Sequence, residues 1–294
     1  MKPEGLIVPL ITPLCPDESL DEASLERLVE HVITGGVDSI FVLGSCGEFP
    51  GLDDAARERL LQVVCEQARG RVSVLAGIGD TGTRRTIERG KRLARLGADA
   101  VVVTAPFYYV HTQEELVAHF TAIARAVDAS VVLYNIPQMV KVSIEPETVR
   151  QLAEVSGIIG LKDSAENMLQ FQEFLRLQAT CPDFRVCQGA ELLAAASLVQ
   201  GADGVVLGLA NVAPRLCRDL YDTAKSGNLP QAWVLQKQLR QLYSIYEQGA
   251  WLAGLKAAVS ELGLCGPTVT APFRPLANEQ LGRIRQILIE LELL

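Results

Sequence analysis

Ser156-Gly-Ile-Ile-Gly-Leu-Lys-Asp-Ser164 places one lysine at the end of a short apolar run. The residues Ile158, Ile159 and Leu161 are typical of a parallel strand that is covered on both faces. The stretch therefore predicts a buried strand that ends at Lys162, with a loop after it. Because helices are what cover both faces of such a sheet, the rest of the chain should alternate strands with helices.

The flanking sequence repeats this unit along most of the chain. An apolar run of strand length is followed by an amphipathic stretch about every 25 to 30 residues, as in βα units. Eight units without a long linker favour a closed (β/α)₈ TIM barrel, at roughly residues 1–225, over a doubly wound sheet. The predicted strands are Leu6–Thr12, Ser39–Leu43, Val72–Gly77, Ala100–Thr104, Ser130–Asn135, Ile158–Lys162, Arg185–Gln188 and Gly204–Leu207.

After Gly227 the strand pattern stops. Apolar periodicity predicts helices over Leu229–Tyr246, Trp251–Leu262 and Asn278–Leu291. No Ser/Gly-rich hinge precedes them, so residues 226–294 are predicted to form a C-terminal three-helix extension that packs on the barrel.

Composition excludes several classes of protein. The net charge of -8 and the pI near 5.1 argue against binding to nucleic acid or to an anionic membrane. No apolar run reaches the ~20 residues of a membrane span, and residues 1–6 lack the apolar core of a signal peptide. Seven scattered cysteines without a C-x-x-C pair fit a reducing compartment, and three histidines show no metal-ligand spacing. We therefore expect a cytoplasmic protein without a metal ion.

Lys162 has a chemical interpretation as well as a structural one. A lysine held against apolar walls loses the solvation of its ammonium form, which favours a neutral amine that can form a Schiff base with a ketone. The alternative is a strand-end lysine whose ammonium group reaches solvent. Since all strand ends of a barrel point to one mouth, the other strand ends help to distinguish the two.

Two of those ends carry suitable groups. Gly44-Ser-Cys-Gly-Glu-Phe49 follows the second strand, and its free backbone N–H groups with the Ser45 hydroxyl could hold a carboxylate. A tight βα turn that needs glycine explains the same residues. Leu133-Tyr-Asn-Ile-Pro137 puts Tyr134 on the strand next to that of Lys162, where a phenol could pass protons to an imine intermediate. A buried tyrosine with a satisfied hydroxyl is the alternative.

Two further motifs are less informative. The aromatic loop Thr104-Ala-Pro-Phe-Tyr-Tyr109 indicates only a pocket or an interface. Gly77-Ile-Gly-Asp-Thr-Gly82 matches the spacing of a dinucleotide-binding loop. However, no acidic residue ends the next strand, and the motif lies in the third βα unit, so we do not expect NAD.

Taken together and in this order, six motifs resemble the dihydrodipicolinate synthase / N-acetylneuraminate lyase family. The resemblance implies a (β/α)₈ barrel with a helical tail, usually a tetramer built as a dimer of tight dimers. It also implies a lysine imine with pyruvate or another 2-keto acid, and no metal or organic cofactor. The motifs are Gly44-Ser-Cys-Gly-Glu48, Pro106-Phe-Tyr108, Tyr134-Asn-Ile-Pro137, Gly160-Leu-Lys-Asp163, Gly201-Ala-Asp-Gly-Val-Val206 and Ala257-Ala-Val-Ser-Glu-Leu-Gly263.

The resemblance also implies roles for individual residues. Lys162 would form the imine, and Tyr134 would donate and accept protons. Tyr108 has the place of a tyrosine that, in the synthases, reaches into the neighbouring subunit's site. The implied substrate-binding residues are Ser45 and Cys46 at the pyruvate carboxylate, with Gly189 and Val206 lining the pocket, the latter through its backbone.

Two departures from the synthase pattern bear on the substrate. Ser45 and Cys46 replace two threonines, and a thiol is a weak hydrogen-bond donor, which weakens a hydroxyl relay at position 46. Met139 replaces an arginine that pairs with the carboxylate of the second substrate, and without that arginine a buried carboxylate would lie unpaired. Lys141 is the nearest alternative cation in the sequence.

These observations predict a class I aldolase that cleaves a 2-keto-3-deoxy sugar acid to pyruvate and an aldehyde. The alternative is a 4-hydroxy-tetrahydrodipicolinate synthase, which condenses pyruvate with aspartate semialdehyde. An N-acetylneuraminate lyase, a keto sugar acid dehydratase and a non-catalytic keto-acid binding protein are further alternatives. Because the 107–109 loop and the helical tail are rich in apolar residues, we expect a homo-oligomer, with a homotetramer implied by the resemblance.

Overall fold

In the computed structural model, which describes residues 2–294, eight parallel strands close into a barrel. Each strand pairs with its neighbours in sequence, and β8 returns to pair with β1. The predicted (β/α)₈ fold is therefore confirmed. The strands are β1 Gly5–Pro9, β2 Ser39–Val42, β3 Ser73–Gly77, β4 Ala100–Thr104, β5 Ser130–Asn135, β6 Ile158–Asp163, β7 Arg185–Gln188 and β8 Gly204–Val206.

The predicted strand ends were wrong where side chains or backbone turns interrupt the ladder. The first strand was predicted to reach Thr12, but the N–H of Ile11 donates to Oδ1 of Asn211 at 3.1 Å instead of to a strand. The second ends at Val42 because Leu43 adopts the left-handed region, with a φ of 59°. The sixth continues one residue further, so that Asp163 is also paired.

Helices follow the strands and surround the barrel. Side chains cap the first turn of several of them; for example, the Asp21 carboxylate accepts from the N–H of Ser24 at 3.0 Å. The helices are α1 Glu22–Thr34, α2 Asp54–Ala68, α3 Thr83–Arg95, α4 Gln113–Ala126, α5 Pro137–Val140, α6 Pro146–Ala153, α7 Met168–Arg176, α8 Ala194–Val199, α9 Pro214–Lys225, α10 Leu229–Tyr243, α11 Trp251–Glu261 and α12 Asn278–Glu290.

The last three helices form the predicted C-terminal extension. Helix α10 ends at Tyr243, earlier than predicted, because Ser244–Glu247 tightens into a 3₁₀ turn. The buried face of α12, with Ile284 and Leu288, joins the same apolar core as the barrel strands. The division into two domains at residue 225 stays a prediction, since the core is continuous across it.

The barrel interior is filled by side chains and not open as a pore. Phe41, Leu75, Val132 and Val206 surround a void of only about 10 Å³, and Lys162 borders the same void. Lys162 therefore rests on a packed apolar layer at the carboxyl ends of the strands. Among residues 2–294, no helix has the length and apolar character that crossing a membrane requires.

Candidate active site

Lys162 lies almost completely buried at the mouth of the barrel, with 6% of its surface exposed. Its Nζ is 3.9 Å from the centroid of the Tyr134 ring and 5.1 Å from that of Phe41. No carboxylate among residues 2–294 forms a salt bridge with this Nζ, within the 4.0 Å that defines one. No ion pair therefore has to break before the amine reacts.

Tyr134 is the direct neighbour of Lys162 across the β5–β6 ladder. Its ring is 4% exposed and packs edge-on against Phe41, with 6.2 Å between the centroids. A register shift of one residue would turn Tyr134 to the other face of the sheet, so the pairing of β5 with β6 is what holds it beside the amine.

Asn135 and Asp163, one residue after each of these groups, fix that register. Nδ2 of Asn135 donates to Oδ1 of Asp163 at 2.7 Å, and Oδ1 of Asn135 accepts from the N–H of Ile144 at 2.9 Å. Burial raises the pKa of Asp163 to about 6, and the hydrogen bond from Asn135 opposes this rise. Sequence reasoning missed Asp163, although it follows the lysine directly.

Gly189 lies against the lysine side chain after β7. A Cβ at this position would be 2.2 Å from Oγ of Ser164 and 2.8 Å from Cε of Lys162. Any larger residue would displace Lys162, so the glycine leaves the space that the lysine occupies. Val206, at the end of β8, is 3% exposed and lines the interior beside Lys162.

The turn Gly44–Glu48 lies at the same mouth and carries Ser45 and Cys46. Oγ1 of Thr12 donates to the carbonyl oxygen of Gly47 at 2.7 Å, which holds the turn against the segment that follows β1. Burial raises the pKa of the Cys46 thiol to about 12, so this thiol is neutral near pH 7. Cys46 is thus neither an anion nor a strong donor.

A buried ion pair fixes the end of this turn, and sequence reasoning did not find it. Nζ of Lys256 in α11 is 2.5 Å from Oε1 of Glu48, and both side chains are at most 1% exposed. Oε2 of Glu48 accepts from the N–H of Thr270 at 2.7 Å and from its hydroxyl at 2.9 Å. Glu48 itself has a φ of 55°. The C-terminal extension therefore holds the turn that carries Ser45.

A cavity of about 360 Å³ opens between this turn, α5 and α11. Its lining is largely apolar and includes Phe49, Phe107, Met139, Val140, Trp251 and Phe273. The described lining contains no lysine or arginine, and Lys141 is not part of it. Two lining residues connect the cavity to the mouth of the barrel. Ser45 belongs to the turn at the mouth, and Thr104 pairs with Tyr134 in the strand ladder.

A comparison with models of protein families identifies the family of this chain. The model of the dihydrodipicolinate synthetase family matches residues 2–291. The chain belongs to this family. The family consists of carbon–carbon lyases that form a Schiff base between a lysine and pyruvate, without an external cofactor. The predicted family and enzyme class are confirmed.

Individual members of the dihydrodipicolinate synthetase family are similar over the whole chain. The 4-hydroxy-tetrahydrodipicolinate synthase of Methylococcus capsulatus is 35% identical over 284 residues, covering 96% of this chain and 97% of that one. A prophage protein of the family from E. coli K12, solved in complex with pyruvate, has a TM-score of 0.95 at 29% identity, covering 99% of both chains. A structure described as the first monomeric dihydrodipicolinate synthase variant has a TM-score of 0.96 at 30% identity, covering 99% of this chain and 97% of that one.

The remaining two predicted site residues, Met139 and Tyr108, lie away from Lys162. Met139, in α5, is half exposed and lines the cavity. Tyr108 is 80% exposed, has a φ of 86°, and contacts the ring of Tyr109 with 5.0 Å between centroids. The structure does not bring Tyr108 to the Lys162 of its own chain.

Glu191 is a second carboxyl group near the lysine that sequence reasoning missed. Its Oε1 accepts from the N–H of Leu209 at 3.0 Å and from the Tyr246 hydroxyl at 3.1 Å, whereas Oε2 is buried without a partner among the described residues. Burial raises the pKa of Glu191 to about 7, and the Leu209 and Tyr246 hydrogen bonds oppose this rise. A single glutamate two residues after Gly189 gives no signal of this kind in the sequence.

Proposed function

We propose that Lys162 is the imine-forming lysine of this chain and that Tyr134 moves the protons of the reaction. The observation that carries the proposal is the ladder pairing of Tyr134 with Lys162, with Nζ 3.9 Å from the tyrosine ring. The absence of a salt bridge to Nζ among residues 2–294 supports it. A lysine meant only for structure would be expected to have a carboxylate partner at this depth.

The reaction begins when the amine of Lys162 attacks C2 of the keto acid, and loss of water gives the imine. The iminium then accepts the electron pair of the C3–C4 bond as it breaks, which releases the aldehyde. Tyr134, from the adjacent strand, accepts the proton of the C4 hydroxyl. The enamine is protonated at C3, and water hydrolyses the imine to free pyruvate. The condensation runs through the same steps in reverse.

We propose that the turn Gly44–Glu48 holds the keto-acid carboxylate. Ser45 supplies a hydroxyl, and the turn supplies backbone N–H groups, as expected for an anion site. Cys46, neutral and buried, contributes packing and no hydroxyl relay. Gly189 contributes to the site indirectly, because it leaves room for the side chain of Lys162.

The sequence analysis weighed two reactions that differ in the aldehyde that joins pyruvate. A separate observation favours each of them. The names of the relatives favour condensation of pyruvate with aspartate semialdehyde, the alternative of the sequence analysis, over cleavage of a 2-keto-3-deoxy sugar acid. Met139 favours an aldehyde without a carboxylate, since the described cavity lining offers no cation to pair with one. We infer that the chain makes or breaks the C3–C4 bond of a 4-hydroxy-2-oxo acid.

The test compares both reactions in the wild-type protein and in Met139→Arg. A guanidinium at position 139 should raise the rate with aspartate semialdehyde roughly ten- to a hundredfold, because a charge-assisted pair contributes about 1.5 to 3 kcal/mol. Val199→Arg, at the end of α8 and outside the cavity, adds the same charge as a control. The argument from Met139 is wrong if the wild-type protein already condenses aspartate semialdehyde with pyruvate faster than it cleaves any sugar acid. The synthase function then replaces the sugar-acid aldolase function.

We also propose that the protein is a cytoplasmic homotetramer. Tyr108, Tyr109 and Val110 are 80%, 69% and 71% exposed in a single chain, which is more apolar surface than a short loop usually shows to water. Tyr108 would then complete the site of a second copy. Light scattering that gives the mass of one chain, 31.8 kDa, at micromolar concentration would contradict this.

A further inference from the structure

The cavity beside Tyr134 differs from the pyruvate site in its chemistry. Phe49, Phe107, Trp251 and Phe273 bring four aromatic rings to its wall, and Met139 and Val140 complete the apolar surface. The carboxylate of Glu48 also borders the cavity, but Lys256 and Thr270 already bind it. The walls therefore offer apolar contact and few hydrogen bonds.

The size of the cavity suits a ring or a branched alkyl group. An apolar cavity of about 150 Å³ is enough to hold benzene. With about 360 Å³, this cavity can hold a phenyl group together with the carbonyl carbon that carries it. Binding sites for small molecules of this size are typically apolar with a few placed polar groups.

Thr104 is a polar residue of the cavity lining, and the strand ladder connects it to the reacting groups. Thr104 is 7% exposed, lines the cavity, and its Oγ1 has no hydrogen-bond partner among the described residues. It lies next to Tyr134 in the ladder, and Tyr134 lies next to Lys162. An aldehyde whose oxygen contacts Thr104 and Tyr134 would thus present its carbon towards the enamine on Lys162.

We propose that the cavity is the binding site for the aldehyde and that its substrate class is apolar aldehydes, aryl or branched alkyl. This inference rests on the proposed imine chemistry at Lys162. C3 of the enamine attacks the carbonyl carbon and forms the C3–C4 bond. The proton that left C3 during enamine formation ends on the aldehyde oxygen through Tyr134, and Thr104 donates a hydrogen bond to that oxygen. The water released during imine formation is consumed in hydrolysis, which frees a 4-hydroxy-2-oxo acid.

Trp251 is one of the four aromatic residues of the cavity wall. Its ring packs edge-on against Tyr246 with 6.1 Å between centroids, and Tyr246 donates to Glu191 near the pyruvate side of the site. This contact fixes the indole between the cavity and the mouth. A polyhydroxylated aldehyde would find no partners for its hydroxyl groups on such a wall, whereas a ring would bury apolar surface there.

The experiment traps the pyruvate imine with borohydride in one sample and, in a separate untreated sample, measures condensation of pyruvate with a panel of aldehydes. The panel contains benzaldehyde, isobutyraldehyde, glyceraldehyde and aspartate semialdehyde. We expect kcat/KM for benzaldehyde and isobutyraldehyde to exceed that for glyceraldehyde at least tenfold. Trp251→Ala should lower kcat/KM for benzaldehyde roughly ten- to a hundredfold, as loss of one ring contact predicts, and should leave imine trapping unchanged.

The controls separate this inference from the proposed function. Trp233→Ala removes the other tryptophan, which lies half exposed on α10 outside the cavity, and should change none of these rates. No trapped imine would overturn the proposed function itself. An imine that forms normally, together with faster reaction of glyceraldehyde or aspartate semialdehyde than of benzaldehyde, would overturn only the apolar substrate class.

A second measurement does not depend on turnover. In Trp233→Phe, Trp251 is the only tryptophan, so its fluorescence reports the cavity. Benzaldehyde added after borohydride has fixed the pyruvyl group on Lys162 should change this fluorescence with a saturable dependence. No change, or a change produced equally by glyceraldehyde, means that the aldehyde does not bind beside Trp251 and overturns the assignment.

Discussion

Two lysines are buried among residues 2–294, and their surroundings separate the amine that we propose reacts from one that holds an ion pair. Lys256, in α11, is fully buried and holds Glu48 at 2.5 Å, while burial lowers its pKa and Glu48 opposes that change. Lys162, at the end of β6, is nearly as buried but contacts two aromatic rings and, among residues 2–294, no carboxylate within salt-bridge distance. The two amines therefore differ in their partners and not in their burial, and this difference is what favours Lys162 as the proposed nucleophile.

Two buried glutamates, Glu48 and Glu191, also differ in whether their oxygens have partners. Both oxygens of Glu48 are bound, by Lys256 and by Thr270. One oxygen of Glu191 has no partner within the part of the chain that the structure describes, and burial raises the pKa of this group to about 7. The ion pair of Glu48 stabilises the turn at the mouth, whereas the carboxyl of Glu191 can gain or lose a proton near neutral pH.

The largest effect should come from Lys162→Ala. With pyruvate and borohydride, the wild-type protein should gain one reduced pyruvyl group on Lys162, and the variant should gain none, because the nucleophile is absent. Lys91→Ala, at an exposed lysine of α3, is the control and should still be labelled on Lys162. Peptide mapping by mass spectrometry gives the answer, and a pyruvyl group found on Lys256 would remove the distinction between the two amines.

Tyr134→Phe tests whether the aromatic face alone makes Lys162 reactive. The ring remains and only the hydroxyl is lost, so the fold should persist while kcat falls about 10²- to 10⁴-fold, the usual contribution of a positioned acid–base group. Borohydride trapping measured beside steady-state rates separates imine formation from turnover. A rate near that of the wild type would show that water or another group moves the proton.

Lys256→Met should leave Glu48 as a buried, unpaired charge. Removing one partner of a buried pair costs about 3 to 5 kcal/mol, so the free energy of unfolding in urea should fall by that amount. Glu48→Gln/Lys256→Met removes both charges and should recover part of the loss. A single variant as stable as the wild type would mean that the pair is not needed to hold the turn.

Glu191→Gln should change how stability depends on pH. The folded protein keeps a proton on Glu191 up to about pH 7, while the unfolded chain loses it near its ordinary pKa of 4.5, so wild-type stability falls as pH rises between these values. The glutamine variant lacks this loss, so its stability relative to wild type should increase by about 3 kcal/mol from pH 4.5 to 7.5. Asp163 titrates in both proteins, so its contribution cancels in the difference. Parallel pH curves for the two proteins would contradict the raised pKa.

The barrel could be predicted because its signals are local. Each strand is a short apolar run, and amphipathic helices follow the strands, so that eight similar units predict the topology. The ends of strands were harder, since Ile11 leaves the ladder for the side chain of Asn211, which lies 200 positions away. No window of sequence contains that contact.

The same limit applies to the site. Lys162 and Tyr134 could be predicted to lie side by side because each lies near the end of a strand, and barrel geometry brings strand ends together. Lys256, Thr270 and Trp251 reach the mouth only through the packing of the C-terminal helices, for which the sequence gives periodicity but no docking position. The cavity, which is formed between the barrel and these helices, was therefore not predicted.

The Lys256–Glu48 pair also has a consequence for the order in which the protein matures during synthesis. A nascent chain that has emerged from the ribosome as far as residue 225 has all eight strands, but Glu48 still lacks its cation and Thr270. The turn that carries Ser45 can reach its final shape only when α11 and the segment after it have been translated and have docked. Keto-acid binding should therefore appear late in biosynthesis, after the barrel strands are complete.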